Sequence, residues 1–341
     1  MQVRVGVIGA GAVADITHLP AYHEMPEAEL IAVCDINEER AKLMAKKYDA
    51  EAWYTDYLKL LQRADIDAVS ICTPNYLHCD QTVAAAKHGK HVLVEKPMAT
   101  TLEECDKMID ACKKANVKLM VGANPRFDPQ NQQIKEILDR GFIGRILQIK
   151  YHAAYGGPLV FWPAVSDWFF DESKVGGGCI QDFGTHIIDL FRWFAGDVSS
   201  VFAIGGTLQK NIETEDNAIL LLTFKRGGIG EIDISWTYKG WDMSAEIIGS
   251  EGAIFVREPH SPISIYTEKA GLNISEAMIQ PQFRLDVAQM MASQKSKIKH
   301  FVMSIIEDKR PLVEGRDGKA ALEVVLAAYE SMKSGKKVLL K

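Results

Sequence analysis

The sequence has no excess of basic charge, no long apolar run and no segment of low complexity. Its 39 lysines and arginines are outnumbered by 45 aspartates and glutamates, which gives a net charge of −6. Proteins that bind nucleic acid need a basic surface, so this balance argues against such a partner. No apolar run reaches the ~18 residues that a membrane span requires. We therefore expect neither a nucleic-acid nor a membrane partner.

The sequence also shows neither closely paired cysteines nor the pattern of a signal peptide. The six cysteines include no C-x-x-C pair, and most lie inside apolar runs such as AVCD and VSICTP. Buried, reduced thiols of this kind are typical of a cytosolic protein. The N-terminus, MQVRVGVIGAG, enters a strand pattern at once and shows no cleavage site. The sequence therefore predicts a cytoplasmic protein.

The first third of the chain alternates short apolar runs with amphipathic ones. Runs that are apolar on both faces predict strands, and the amphipathic runs between them predict helices. The predicted strands are 3–9, 29–35, 51–56, 68–74, 91–97 and 118–124, and the predicted helices are 36–48, 77–89 and 100–116. Thr101 and Glu104 form a capping-box pattern at the start of the last helix. Such alternation predicts a parallel sheet covered by helices on both sides.

The pattern changes near residue 124, where strands begin to follow one another without crossover helices. Ile232, Ile234 and Trp236 alternate with polar residues, which predicts an antiparallel sheet with one covered face. The predicted strands are 145–154, 199–209, 217–225, 229–238, 242–250, 252–256 and 336–341, and the predicted helices are 128–140, 283–307 and 317–334. We therefore expect an α/β nucleotide-binding domain over residues 1–123. An α+β domain with an open sheet should follow over 124–341, its C-terminal helix packing back on the first domain.

A glycine motif ends the first predicted strand. Gly9, Gly11 and Ala14 fit G-x-G-x-x-G/A, the motif of dinucleotide-binding turns. Gly9 permits the tight turn, Gly11 lets the backbone approach a pyrophosphate, and Ala14 lets the helix pack closely on the strand. Ala12 and Val13 begin the helix, whose N-terminus favours phosphate. The motif predicts a Rossmann-type cofactor site.

Asp35 ends the second predicted strand and indicates which cofactor the site prefers. A carboxylate at this point accepts hydrogen bonds from ribose hydroxyls and repels a 2′-phosphate. Ile36 and Asn37 follow without an adjacent arginine. NAD is therefore favoured over NADP, although Arg40, one turn further on, leaves NADP open.

The segment VGGGCIQDFGTHIIDL, residues 175–190, combines glycines with acidic residues and a histidine. Asp182 and His186 lie four apart, so they share one helix face, and histidine titrates near neutral pH, as suits a general base. No Lys-Ser/Thr pair follows the glycines, so we interpret them as room for the backbone near the cofactor or the active-site floor. Asp189 is expected to be structural, paired with Arg192, and no metal is predicted.

Two further motifs, CTPNYLH (72–78) and EKPMA (95–99), follow the fourth and fifth predicted strands. With GxGxxA, Asp35, GGGxxxDxxxH and the C-terminal GRDGKAALEVVLAAYESMKSGKKVLL, they make the chain resemble the glucose–fructose oxidoreductase/inositol dehydrogenase (Gfo/Idh/MocA) family over almost its whole length. The resemblance implies NAD(P)-dependent hydride transfer at a secondary alcohol or carbonyl of a sugar, inositol or sugar derivative. It also implies homodimers or homotetramers formed through the antiparallel sheet.

The resemblance assigns roles to individual residues. Lys96 would reach the reacting oxygen, and Asp182 and His186 would stand beside the substrate. These three are the predicted catalytic residues, and which of Lys96 and His186 makes the final proton transfer stays open. The predicted cofactor-binding residues are Gly9, Gly11, Ala12, Val13, Asp35, Thr73, Pro74, Asn75, His78, Glu95, Lys96 and Asn124. The predicted substrate-binding residues are Lys96, Arg126, Trp168, Asp182 and His186.

The substrate itself is less well indicated. Pro125 and Phe169 stand where relatives more often carry a tyrosine and a basic residue, so substrate identity does not transfer with the resemblance. Trp168 is the aromatic residue of 153–173 that we select for substrate contact, with Tyr238 and Trp241 as weaker choices. An uncharged sugar or inositol is favoured. Two alternatives are a redox-neutral glycosidase with tightly held NAD and a non-catalytic NAD-sensing regulator.

Overall fold

Six parallel strands form the first sheet of the computed structural model, which describes residues 2–161, 172–257, 262–267 and 287–341. Their order is β3-β2-β1-β4-β5-β6. The strands are β1 (Val3–Ile8), β2 (Ala28–Cys34), β3 (Ala52–Tyr54), β4 (Ala68–Ile71), β5 (His91–Val94) and β6 (Leu119–Val121). Each confirms a predicted strand. The order reverses between β1 and β4, and ligands bind to such sheets at the carboxyl ends of strands around this point.

Helices cover both faces of this sheet, as the alternating pattern predicts. They are α1 (Leu19–Glu24), preceded by a π-helical turn (Ala14–His18), then α2 (Glu38–Lys47), α3 (Tyr57–Leu61), α4 (His78–Lys87) and α5 (Leu102–Lys114). The capping box of α5 is confirmed, because Thr101 Oγ1 accepts the Glu104 N–H while the Glu104 carboxylate accepts the Thr101 N–H. The five-residue α3 was not predicted, since it is too short to show a helical period.

Eight strands form the second sheet, in the order β13-β12-β11-β7-β10-β9-β8-β14. They are β7 (Ile146–Tyr155), β8 (Val198–Gly206), β9 (Asn217–Phe224), β10 (Ile229–Ser235), β11 (Trp241–Gly249), β12 (Gly252–Val256), β13 (Ser264–Thr267) and β14 (Val338–Leu339). All neighbours are antiparallel except β7 and β10, which pair in parallel. The mainly antiparallel sheet is thus confirmed, and β13 is an additional strand.

One face of the second sheet is buried and the other is open, as the period-two pattern predicts. Ile232, Ile234 and Trp236 are fully buried. On β9, Leu220 and Leu222 are buried whereas Ile219 and Leu221 are half-exposed. The helices of this half of the chain are α6 (Pro129–Asp139), α7 (Pro158–Phe161), α8 (Glu172–Val175), α9 (Thr185–Ala195), α10 (Val287–Ile306) and α11 (Gly315–Ser334).

The two C-terminal helices join the halves of the molecule. Ile298 and Phe301 of α10 are buried in the core of the first sheet. On α11, Leu322 belongs to that core while Val325 belongs to the core of the second sheet. A Cβ at Gly318 would lie 2.9 Å from Val121, so this glycine lets α11 approach β6. Among the described residues, no helix is long and apolar enough to cross a bilayer.

Candidate active site

The glycine turn after β1 is constrained by the neighbouring loop after β4 as well as by its own backbone conformation. Gly9 has φ +90°, and a Cβ there would lie 2.8 Å from the backbone of Cys72 and Thr73. Only glycine therefore allows the loops after β1 and β4 to meet. A Cβ at Gly11, in contrast, would meet nothing within 4 Å. The turn thus keeps open space at the N-terminal end of the helix, where a dinucleotide pyrophosphate binds.

Asp35 closes the same turn from the end of β2. Its Oδ2 accepts the Ala10 N–H at 2.9 Å and its Oδ1 accepts the Asn37 N–H at 2.8 Å. Each carboxylate oxygen keeps a second lone pair for a ribose hydroxyl. The guanidinium of Arg40 lies 4.0 Å from Oδ2. Arg40 therefore borders the position that discriminates NAD from NADP.

The loop after β4 holds protein segments together through side chains that were predicted to bind the cofactor. Asn75 Nδ2 donates to the Val175 carbonyl at 2.9 Å. The ring nitrogens of His78 lie 2.9 Å from the Thr73 carbonyl and 3.0 Å from the Pro97 carbonyl. Burial lowers the pKa of His78. These contacts give Asn75 and His78 a supporting role between protein segments, and their contact with a cofactor stays a prediction. The backbone of Thr73 lies beside Gly9.

Lys96 and Asp182 meet across the two halves of the molecule. Lys96 follows β5 and precedes a cis Lys96–Pro97 bond. Its Nζ donates to Asp182 Oδ1 at 2.5 Å and to the Asp182 carbonyl at 3.0 Å. Both side chains are partly exposed. The structure thus brings together two of the three predicted catalytic residues.

His186 lies one helical turn beyond Asp182, at the start of α9, and it is partly buried. Its Nδ1 has no hydrogen-bond partner among the described residues. Burial and the positive charge of Lys96 hold the pKa of His186 well below 6.5. The ring is therefore neutral at pH 7 and keeps a free position for a proton or a ligand group.

Tyr155, at the end of β7, was not predicted as a site residue. Its hydroxyl donates to Asp182 Oδ2 at 3.3 Å and accepts the Trp236 Nε1–H at 2.9 Å. A cavity of about 350 Å³ is lined by Trp236 together with Lys210 and Tyr238. The only signal for Tyr155 in the sequence is its position, since it ends a strand just before two glycines.

Of the glycines at 176–178, Gly177 and Gly178 make room for protein groups, which favours the active-site floor over the cofactor as the reason for these glycines. A Cβ at Gly177 would lie 1.9 Å from the Tyr329 hydroxyl, and one at Gly178 would lie 2.0 Å from the Glu215 carbonyl. The Glu215 carboxylate accepts the N–H groups of Gly178 and Ile180 and the Tyr329 hydroxyl. Glu215 and Tyr329 thus hold the start of the turn that carries Asp182.

Arg126 lies in a buried ion pair, which corrects the predicted partner of Asp189. Its guanidinium donates to both carboxylate oxygens of Asp189, at 2.8 and 2.6 Å. Asp189 therefore pairs with Arg126 and not with Arg192, which binds Asp197 at 2.7 Å. These contacts give Arg126 a structural role, and its contact with a substrate stays a prediction.

Three other predicted site residues remain, which are Asn124, Glu95 and Trp168. Asn124 follows β6, and its Oδ1 is buried without a partner among the described residues, so it can still accept from a bound group. Glu95 points into the protein, where its carboxylate binds His18 and Lys297; its contact with a cofactor stays a prediction. Trp168 lies outside the described residues.

Comparison with known proteins agrees with this geometry. Residues 3–123 match the model of an oxidoreductase family with an NAD-binding Rossmann fold, and residues 131–255 match the C-terminal domain of the same family. The chain belongs to the Gfo/Idh/MocA family. It is therefore a member of an NAD-binding oxidoreductase family, as the sequence motifs predict.

Individual members of the Gfo/Idh/MocA family resemble the chain over its full length. Myo-inositol 2-dehydrogenase of Thermotoga maritima is 32% identical, with 99% of this chain and 98% of that protein covered. The scyllo-inositol 2-dehydrogenase (NAD⁺) of Bacillus subtilis is 31% identical, covering 99% and 96%. The solved structure of a levoglucosan dehydrogenase in complex with NADH and levoglucosan superposes with a TM-score of 0.87 at 25% identity, covering 99% of each chain.

Proposed function

We propose that this protein transfers a hydride between NAD and a secondary alcohol or carbonyl group of an uncharged sugar, inositol or sugar derivative. The observation that carries the proposal is the Lys96–Asp182 contact next to the partly buried, neutral His186. These groups come from both halves of the chain and meet at the carboxyl ends of the parallel strands, where cofactors bind. The substrates named for the inositol and levoglucosan dehydrogenases support the polyol class.

The described residues fit a bound NAD. Gly11 keeps space for the pyrophosphate, Asp35 presents free lone pairs to a ribose, and Asn124 has an unused acceptor. Bound NAD would supply the hydride acceptor or donor, which no protein side chain can replace. The guanidinium of Arg40 lies 4.0 Å from the Asp35 carboxylate, and this pairing supports NAD over NADP.

The protein residues would place the substrate and move one proton. In the oxidation direction, the hydroxyl proton would pass to neutral His186 or to Lys96 as the hydride leaves the same carbon. Lys96 would donate a hydrogen bond to the oxygen as it gains negative charge. Asp182 orients Lys96 and is itself held by Tyr155.

The engagement of Arg126 removes one cation that could bind a charged substrate, which supports an uncharged one. Arg126 is bound bidentately by Asp189 and is buried, so it is not available for a substrate carboxylate or phosphate. The cavity beside Trp236 is lined by Tyr238, whose ring can pack on the C–H face of a sugar. Tyr238, a weaker choice in the sequence, therefore gains support.

We expect a screen of monosaccharides, inositols and sugar lactones to find a polyol that reduces NAD⁺ at least ~10-fold faster than NADP⁺. The physical reason is the repulsion of a 2′-phosphate by Asp35. NADH formation at 340 nm measures the rate. Cleavage of a glycoside without net NADH would instead favour the redox-neutral glycosidase. NAD binding with no turnover on any compound would favour the sensing regulator.

We also propose that the open face of the second sheet joins copies of the chain. Phe202 pairs with Leu221 across β8 and β9, and Ile204 pairs with Ile219. Ile204, Ile219 and Leu221 are each about half-exposed or more, and contiguous apolar patches of this kind mark association sites.

Replacing Ile219 and Leu221 with lysine should therefore reduce the solution mass to that of one chain. The two charges would enter the apolar interface from both copies, where burying an unpaired charge is costly. Light scattering coupled to size exclusion measures the mass. Leu43→Lys, at an exposed position on α2, is the control and should leave the mass unchanged. A single-chain mass for the unaltered protein would refute the proposed interface.

Two further proposals follow from the fold. We divide the chain into domains 1–123 and 124–341, with α10 and part of α11 completing the core of the first. We also propose a cytoplasmic location. The six cysteines are all free, and five of them are buried, which supports a reducing compartment.

A further inference from the structure

A buried cluster of charged groups lies behind Lys96. Lys297, on α10, is fully buried, and its Nζ lies 2.5 Å from Glu95 Oε1. His18, in the π-helical turn after the glycine loop, is also fully buried and places Nε2 2.9 Å from the same oxygen. We name these three residues the Glu95 cluster. Neither Lys297 nor His18 has a role in the reaction described above.

The protonation states within the cluster follow from its contacts. Burial raises the pKa of Glu95, but the Lys297 charge and the hydrogen bond from His18 outweigh it and hold that pKa well below its ordinary value. Burial and Lys297 lower the pKa of His18. Glu95 is therefore ionised and His18 neutral. Since a carboxylate only accepts, His18 carries its proton on Nε2.

The hydrogen bonds then continue in one direction through the first domain. His18 Nδ1, without a proton, accepts from the Ser70 hydroxyl at 3.0 Å. Ser70 in turn accepts from the Tyr22 hydroxyl at 2.7 Å. This series of hydrogen bonds runs from Tyr22 through Ser70 and His18 to Glu95. It holds the Glu95 carboxylate from one side, and Lys297 holds it from the other.

The cluster ties together the segments that build the site. The second carboxylate oxygen of Glu95 accepts the Lys96 N–H at 3.3 Å, so the carboxylate is attached to the turn that presents Lys96. His18 belongs to the turn that follows Gly9 and Gly11. Gly122 makes room for the carboxylate, because a Cβ there would lie 2.8 Å from Glu95 Oε1.

Stability alone is a poor reason for such a cluster. A buried ion pair costs desolvation, and apolar side chains of similar size often stabilise a protein as well or better. The charges also reach the active site, since Glu95 and Lys297, together with Lys96, act on the titration of His186. An apolar replacement would neither orient the site nor supply its charges, so these are the properties that the buried cluster provides.

We propose that Lys297 is a positioning residue for hydride transfer, which acts through Glu95 to fix the turn that presents Lys96 to Asp182. The inference rests on the proposed function for its kinetic consequences. Lys297 makes its contact from α10, so the C-terminal part of the chain controls the geometry of a residue in the first domain. It contacts neither substrate nor cofactor.

The test compares Lys297→Met with Lys90→Met. Lys90 is a second buried lysine, and its Nζ donates to the Arg63 and Ile66 carbonyls, away from the site. Lys297→Met should lower kcat about 10- to 100-fold, as misplacement of a reacting group does, with the NADH Kd within about threefold of wild type. Lys90→Met should lower the melting temperature but leave kcat unchanged. Equal effects of the two variants on kcat would overturn the proposal.

A readout without substrate separates this proposal from the proposed function. The pKa of His186, followed by NMR of labelled histidine in the NAD⁺-saturated enzyme, should rise in Lys297→Met, because a positive charge is lost and Glu95 is left unpaired. An unchanged His186 pKa would count against the proposal even if no substrate were found. Absence of turnover in the wild type, with a shifted His186 pKa, would refute only the proposed function.

A double variant guards against a misfolded protein. Glu95→Gln/Lys297→Met removes both charges, so it should recover stability relative to Lys297→Met. Because the oriented carboxylate is still missing, kcat should stay at least about 10-fold below wild type. Recovery of wild-type kcat in the double variant would show that Lys297 only neutralises Glu95, and would overturn the positioning role.

Discussion

Lys96→Met should lower kcat about 10³-fold while the NADH Kd stays near that of the wild type. The Nζ of Lys96 lies at the meeting point of the two halves of the molecule, where it donates to Asp182 and faces the site. Without Lys96, the substrate oxygen would lose a hydrogen-bond donor as negative charge develops on it, and it would lose a path for its proton. The loss of such groups lowers the rates of other enzymes by factors of this size. Steady-state kinetics and NADH fluorescence measure the two quantities.

The control for this variant is Lys319→Met. Lys319 forms an exposed ion pair with Asp106 on the surface of α11, and such pairs contribute little to stability. It should therefore behave as wild type in both assays. A Lys96→Met enzyme that keeps more than a tenth of the wild-type kcat would remove Lys96 from the catalytic residues.

His186→Asn should also reduce kcat by about 10²- to 10⁴-fold, and it should abolish the acid limb of the pH–rate profile. Burial and Lys96 lower the folded-state pKa of His186 below 6.5, so the neutral base persists until the pH falls through that lower value. In the wild type, kcat/KM should therefore be flat near pH 7 and decline only on the acid side of 6.5. Retention of the same acid limb in His186→Asn would assign it to another group.

Stability must be followed in the same pH range. The unfolded chain takes up the proton on His186 near pH 6.5, before the folded chain does, so folding stability declines as the pH falls below that value. Circular dichroism at each pH separates unfolding from loss of the base. His88→Asn, at an exposed position after α4, should keep the wild-type profile and serves as the control.

The sequence predicted those parts of the molecule that depend on local pattern. Each strand of the first sheet and the buried alternation of Ile232, Ile234 and Trp236 follow from periodicity. The family resemblance assigned Lys96, Asp182 and His186 to one site, and the structure places Lys96 in contact with Asp182. In each case the signal lies in a run of adjacent residues or in a motif.

The remaining features depend on partners far apart in the chain. Period two shows which face of a strand is buried but not which neighbour it has, so the parallel pairing of β7 with β10 was not foreseen. The partner of Asp189 is 63 residues away, at Arg126, whereas Arg192 was the obvious choice on the same helix. Lys297 gave no signal, since it is one polar residue in the amphipathic pattern of α10.

The position of α10 also bears on how the protein is made. Phe301 and Val302 complete the core of a sheet whose last strand, β6, ends at Val121. During synthesis the N-terminal domain therefore leaves the ribosome long before the helix that covers it. Its apolar surface and the ionised Glu95 therefore have no partners on α10 until this helix has been synthesised. Domains often fold as they emerge, but this one reaches its final packing only after α10 has also been synthesised.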